Sequence, residues 1–215
     1  VRLSTIIFSL FIFLVSFQAQ AKNPPPGTGT SDIPANILIM LDNSGSMSAK
    51  LYNSVQVYYP LDVATDSSGN VYVMEYYNNR IKVFNSSGAY LRSFGGYGSG
   101  CNQWQYARQF AIYDDKIYIA DTYGHRIKVL NLTGGCIDQT TLAYSYPHAI
   151  AVNSKYVYVG NNTSRIWVHQ RNRIHYQNNY NAGSNLSYSW GMSLNGSRLL
   201  IGDYSKNRIV EFIAT

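Results

Sequence analysis

Short runs in which apolar and polar positions alternate recur along the chain from Val55 onward. Val71-Tyr-Val73, Ile117-Tyr-Ile119, Val157-Tyr-Val159 and Leu199-Leu-Ile201 have the two-residue period of half-buried strands. Each is followed, seven or eight residues after its central residue, by Arg-Ile: Arg80-Ile81, Arg126-Ile127, Arg165-Ile166 and Arg208-Ile209. A second strand then runs on, as in Ile81-Lys-Val-Phe84 and Ile127-Lys-Val-Leu130. A further strand precedes each pair, at Leu61–Ala64, Phe110–Tyr113, Ala149–Val152 and Gly191–Leu194. Asp66-Ser-Ser-Gly-Asn70 and Asn85-Ser-Ser-Gly88 supply hairpin-turn chemistry between the strands.

The Arg-to-Arg spacings are 46, 39 and 43 residues, the period of β-propeller blades. One small antiparallel sheet per repeat cannot bury both of its faces alone, so neighbouring sheets must stack around an axis. The expected fold class is therefore all-β, a propeller over residues 55–215 with four repeats visible.

Pro60-Leu-Asp-Val-Ala-Thr-Asp-Ser-Ser-Gly-Asn-Val-Tyr-Val-Met-Glu-Tyr-Tyr-Asn-Asn-Arg-Ile-Lys-Val-Phe84 resembles an NHL repeat, and Ile119-Ala-Asp-Thr-Tyr-Gly-His-Arg-Ile-Lys-Val129 repeats its most diagnostic half. The third and fourth copies are weaker, and the third has Asn161 where an acid is usual. The resemblance implies a ring of six blades. With four in view, the expectation is an incomplete propeller whose next blade would begin near Ile213-Ala-Thr215, because an unclosed ring leaves a strand edge exposed.

The segment ahead of the repeats is organised differently. Residues 1–21 have the layout of a secretory signal peptide: Arg2, an apolar run from Ile6 to Phe17, and Ala19-Gln20-Ala21 for cleavage. The run is shorter than the roughly 20 residues that span a bilayer, so no transmembrane span is expected after cleavage. Residues 22–35, with Pro24-Pro25-Pro26, read as an extended linker. Export follows as the expected location. Lys and Arg are scattered, so the formal net charge of +6 reads as solvated surface, with no nucleic-acid partner.

Within residues 36–52 an apolar strand ends at Asp42, and Ser44 and Ser46 follow around Gly45. An acid and two hydroxyls at this spacing make a small, hard oxygen site suited to Mg²⁺. Asp-x-Ser-x-Ser resembles the metal-ion-dependent adhesion site of von Willebrand factor A domains. The resemblance implies a Thr and an Asp from later loops, and after Leu51 the chain turns to repeats, so only a partial site is visible. Mg²⁺ is expected in an intact parent protein, and weakly or not at all here. Ser31-Asp-Ile-Pro-Ala-Asn-Ile-Leu-Ile-Met-Leu-Asp-Asn-Ser-Gly-Ser-Met47 behind a signal peptide is similar to the start of PilY-type proteins. That similarity implies an exported, type IV pilus-associated adhesin, partnered by pilus components and by a protein or glycan on a surface. A free-standing secreted propeller binding protein or glycan is the alternative, and a propeller lyase a third.

Three acids precede the repeated Arg by five residues: Glu75 with Arg80, Asp121 with Arg126 and Asp203 with Arg208. A feature recurring in blade after blade reads as architecture, so these are expected to be structural ion pairs and not acid/base machinery. His148 stands where Leu61, Gln109 and Trp190 stand in the other copies. Those are poor metal ligands, and His125, His169 and His175 are not placed to complete a zinc set, so His148 is expected to be a turn residue. No enzyme activity is expected. Cys101 and Cys136 form a possible disulfide outside the cytoplasm. Tyrosine is frequent; Tyr58, Tyr59, Tyr76, Tyr77, Tyr176, Tyr180 and Tyr188 fall in or near loops. Packing accounts for most tyrosines in such a fold, and the loop pairs are the better candidates for contacting a ligand.

Overall fold

The computed structural model describes residues 50, 51, 55–143, 146–181 and 186–214. Asp42, Ser44 and Ser46, with the expected leader and linker, lie outside these residues. Apart from a 3-10 turn at Tyr204–Lys206, all regular structure among the described residues is β. β1 (Lys50–Leu51) and β2 (Val55–Gln56) form a two-residue ribbon.

The remaining strands form four sheets in chain order, each an antiparallel meander. The first blade is β3 (Pro60–Thr65), β4 (Val71–Glu75), β5 (Arg80–Phe84) and β6 (Tyr90–Gly95). The second is β7 (Phe110–Tyr113), β8 (Lys116–Asp121), β9 (Arg126–Asn131) and β10 (Cys136–Thr141). The third is β11 (Ala149–Val152), β12 (Tyr156–Gly160), β13 (Arg165–Gln170) and β14 (Arg173–Asn181). The fourth has three strands: β15 (Ser189–Asn195), β16 (Arg198–Asp203) and β17 (Arg208–Ile213). The leading strands β3, β7, β11 and β15 neighbour one another in sequence order, so the blades stack along their innermost edges.

Strand alternation explains the stacking. Tyr72 and Met74 of β4 face the second blade and join Trp104, Phe110, Ile117 and Ile119 in one core. Their neighbours Val71 and Val73 point the other way, onto Val57. In β8, Ile117 and Ile119 look back while Tyr118 and Ala120 look forward to Ile150, Val157 and Val159. Tyr158 repeats the pattern toward Met192, Leu199 and Ile201. Each buried large aliphatic in these layers contributes about 1.5–3 kcal/mol. The tyrosine at the centre of each early repeat is thus an inter-blade residue. Tyr72 also hydrogen-bonds Asp66 at 3.1 Å, and the Asn153 amide donates to Tyr158 at 3.2 Å.

The residue before the repeated Arg adopts a left-handed backbone in three blades, at Asn79, His125 and Asn207, with φ of 50°, 52° and 49°. This tightens the β4–β5, β8–β9 and β16–β17 turns. The first connection between blades, from Gly96 to Gln109, is anchored by Trp104, whose ring packs where a Cβ on Gly95 would fall at 2.4 Å. Gly95 has φ +113°, so both its conformation and its close approach require glycine.

Candidate functional site

The repeated acids fix the loops that lead into the first, second and fourth blades. Glu75, Asp121 and Asp203 are buried, and each ends the second strand of its sheet. Glu75 accepts the Tyr58 N–H at 2.7 Å, Asp121 the Gln105 N–H at 2.7 Å, and Asp203 the Tyr188 N–H at 3.2 Å with the Ser187 hydroxyl at 2.8 Å. Arg80 pairs with Glu75, Arg126 lies 3.0 Å from Asp121, and Arg208 lies 3.3 Å from Asp203. A lysine two residues beyond the Arg joins in the first two blades, Lys82 at 3.1 Å from Glu75 and the fully buried Lys128 at 3.9 Å from Asp121.

The three acids balance burial differently. Burial alone would raise Glu75, but hydrogen bonds from Arg80, the Tyr58 N–H, Asn78 and Lys82 outweigh it and hold the carboxyl below its usual value. Asp203 is likewise held down by Ser187, the Tyr188 N–H and Arg208 against the opposing effect of burial. Burial wins at Asp121 and pushes it up, against the Gln105 N–H, Arg126 and Lys128. The same burial lowers Lys128 to about 8, with Arg126 adding to it and Asp121 opposing.

The loops pinned in this way carry aromatic side chains, and these meet on the loop face. Tyr58 and Tyr59 touch edge to face with ring centres 4.5 Å apart, and Tyr59 meets Tyr77 at 4.7 Å. Contacts continue from Tyr77 to Tyr76 at 5.0 Å, to Tyr106 at 5.4 Å, to Tyr123 at 5.7 Å and to Tyr146 at 5.6 Å. A second group stacks beside the fourth blade: Tyr188 and Trp190 at 5.8 Å, Trp190 and Tyr204 at 5.0 Å, His148 and Tyr188 at 4.9 Å. Trp190 is 41% exposed, Tyr77 55% and Tyr204 65%. These rings are large side chains left partly in water next to one another.

Backbone strain falls on the same residues. Tyr59, Tyr106 and Tyr146 have φ of 47°, 50° and 53°, a region that costs a residue with a Cβ about 1–3 kcal/mol. Each sits in the loop leading into its blade. The folded blades hold these tyrosines in a conformation that local preference opposes.

Arg108 joins the two aromatic groups. Its guanidinium carbon lies 4.5 Å from the Trp190 ring centre and 5.8 Å from that of Tyr76. Beside it, Gln109 ties three blades together. Its Oε1 accepts the N–H groups of Ile150 at 2.9 Å and Met192 at 3.1 Å, while its Nε2 donates to the Met192 carbonyl at 2.9 Å. Asp62 accepts the Phe110 N–H at 2.9 Å, and burial pushes its carboxyl up to about 7.

His148 is buried in the loop leading into β11, with Nε2 3.1 Å from the Tyr188 hydroxyl and Nδ1 without a partner. Burial, then the nearby Arg108 charge, lower it to about 4, so the ring is neutral at physiological pH. His169 is buried in β13 with Nδ1 2.7 Å from the Ile174 carbonyl, and His175 is exposed beside Asp138. His125 packs on Tyr146 and accepts its N–H at 3.0 Å. Among the described residues no three His, Cys, Asp or Glu side chains gather as a metal site. Cys101 and Cys136 are joined as a disulfide with Cα atoms 5.5 Å apart, linking the first inter-blade loop to β10. A depression of about 360 Å³ lies at the opposite ends of the third blade's strands, lined by residues that include Lys155 and Arg171. Arg171 is engaged there by Asp114 at 2.8 Å and by the Tyr113 ring.

Of the loop tyrosines singled out by sequence, Tyr58, Tyr59, Tyr76, Tyr77 and Tyr188 belong to this face, while Tyr176 and Tyr180 fall in β14. Tyr106, Tyr123, Tyr146, Tyr204, Trp190 and Arg108 were not singled out. Part of the signal was present: Tyr123 follows Asp121 at the same distance as Tyr77 follows Glu75, and Tyr204 follows Asp203 as Tyr76 follows Glu75. Nothing local marks Arg108.

Residues 59–195 match a protein family described as 6-bladed beta-propeller. No curated protein matches the chain in sequence. Among solved structures, the computationally designed Ika4 protein aligns with a TM-score of 0.57 at 15% identity, over 79% of this chain and 100% of that one. The designed Ika8 protein aligns at 0.53 and 16% identity, over 72% of this chain and 45% of its own. A streptogramin B lyase structure aligns at 0.59 and 15% identity, over 74% of this chain and 56% of its own. The chain thus spans about half the length of the last two. At these identities the likeness concerns the fold.

Proposed function

Because this chain belongs to the 6-bladed beta-propeller family, in which function must be argued from the site grafted on the fold, we propose that it is a carbohydrate-binding module of an exported surface protein. The observation that supports this reading is the run of ring contacts from Tyr58 to Tyr146, with the Tyr188, Trp190 and Tyr204 group beside it. These rings are rigid, half-exposed and hydroxyl-rich. Their faces suit the C–H faces of sugar rings, and their hydroxyls suit sugar hydroxyls. A surface built from tyrosine and tryptophan, with few aliphatics, serves such an amphipathic ligand better than an oily one. We read the face as binding without turnover.

The setting rests on the amino-terminal sequence. The leader at 1–21 and the Asp42, Ser44 and Ser46 motif favour an exported, PilY-type adhesin, in which Mg²⁺ would belong to the A-domain portion and the NHL-like blades would add a separate binding surface. The aromatic face would then act independently of Mg²⁺.

Applying the purified protein to an array of surface polysaccharides tests the proposal. The expected result is retention of a subset of glycans, unaffected by EDTA and lost in a Tyr59→Ala/Tyr77→Ala variant that melts as a folded protein. Failure to retain any glycan, or retention unchanged in that variant, would refute it.

A further inference from the structure

Among the described residues, Arg108 is a cation of the aromatic face that no carboxylate engages. Arg80, Arg126, Arg171, Arg198, Arg208, Lys82 and Lys128 all lie within ion-pair distance of a carboxylate. Among the described residues no carboxylate pairs with Arg108. Its guanidinium instead lies over Trp190 and Tyr76, and its Nε is buried without a hydrogen-bond partner. A buried donor without an acceptor is costly, which makes it a place where a ligand acceptor gains most.

His148 is a second such group. The residue is 4% exposed, its ring lies nearly parallel to Trp190 at 6.1 Å, and its Nδ1 also has no partner. When the Tyr188 hydroxyl donates to Nε2, the single imidazole proton is left on Nδ1, a neutral donor beside a cationic one. Both groups flank the most exposed stack on the face, Trp190 with Tyr204.

We propose that Arg108, supported by His148, is the point at which this face recognises the carboxylate of an acidic sugar, a uronate residue whose ring stacks on Trp190. The inference rests on the carbohydrate-binding reading and names the class of sugar. Guanidinium is chosen for planar, two-oxygen recognition of carboxylate, and its stacking on an indole orients the fork. The net charge of +6 also favours an anionic chain at long range.

Oligogalacturonate and its fully methyl-esterified form test this, because they share ring chemistry and differ in charge. Calorimetric titration of the native chain is expected to show at least a tenfold preference for the free acid. Arg108→Gln is expected to remove that preference, so that acid and ester bind with the same affinity, and Arg108→Lys, which keeps charge but loses the fork, retains only part of it. Equal binding of acid and ester by the native chain, or an acid preference that survives in Arg108→Gln, overturns the inference and leaves the carbohydrate reading standing. Binding of neither form, by a chain that retains neutral glycans on the array, likewise overturns it. If the array also retains nothing, the carbohydrate reading falls with it.

Discussion

The Asp121 carboxylate accepts the Gln105 backbone N–H at 2.7 Å while Arg126 holds its other oxygen at 3.0 Å. One acid thus joins a hairpin turn to the loop that, three residues later, delivers Arg108 to the aromatic face. The same arrangement recurs at Glu75 with Tyr58 and at Asp203 with Tyr188. Architecture and candidate site are therefore coupled through a single repeated residue.

Asp121→Asn should destabilise the protein by about 2–4 kcal/mol, because it strands the fully buried Lys128 and the mostly buried Arg126 without a counter-charge. Asp203→Asn should cost less, since the Arg208 side chain is 41% exposed against 13% for Arg126. Urea unfolding of the two variants side by side checks the order. Adding Lys128→Met to Asp121→Asn should recover part of the loss.

Asp62 and His148 should impose opposite pH slopes on stability. Burial raises the Asp62 pKa from 3.8 to about 7, so between those values the folded state binds more protons than the unfolded one. Stability from this group is full below about pH 4 and falls as pH rises to 7. Asp62→Asn should therefore raise the melting temperature at pH 8 and lose its advantage near pH 4. His148 runs the other way. Lowered from 6.5 to about 4, it binds fewer protons folded than unfolded, so its contribution is full above about pH 6.5 and is lost as pH falls to 4. His148→Gln should flatten that acid-side loss in thermal melts across pH 4–8.

The disulfide closes a loop with a sequence separation of 35 and ties the first inter-blade connection to β10. Cys101→Ser/Cys136→Ser should cost about 2–4 kcal/mol, chiefly by freeing the unfolded chain. Hydrogen exchange should show the loosening concentrated between Gly96 and Gln109, where Lys128 donates to the Gly100 carbonyl at 2.7 Å and Arg126 to that of Ser99 at 2.9 Å.

The inner strands were legible because a tyrosine alternates with aliphatics in them, a period visible in the letters alone. The structure nevertheless buries both sets: Tyr72 and Tyr118 face the next blade and the aliphatics beside them point the other way. β6 and β10 are mostly exposed, so they carry no clean apolar period and no such signal. The recurrence of acid and Arg was also legible, but not the burial of the acid, which depends on a backbone N–H some sixteen residues earlier. The aromatic face was only half visible. Tyr76 and Tyr77 stand out as a pair, whereas Arg108 meets Trp190 across blades far apart in sequence, and no local pattern encodes such a pairing.

The most direct test of the central claim is a fluorescence titration with an oligosaccharide retained on the array, comparing the native chain with Trp190→Ala. Trp104 is fully buried and Trp190 is 41% exposed, so a ligand on this face should change the emission of the native protein. The predicted result is a saturable change, with affinity measured by calorimetry at least tenfold weaker in Trp190→Ala at an unchanged fold. An affinity identical in the two proteins would contradict the account.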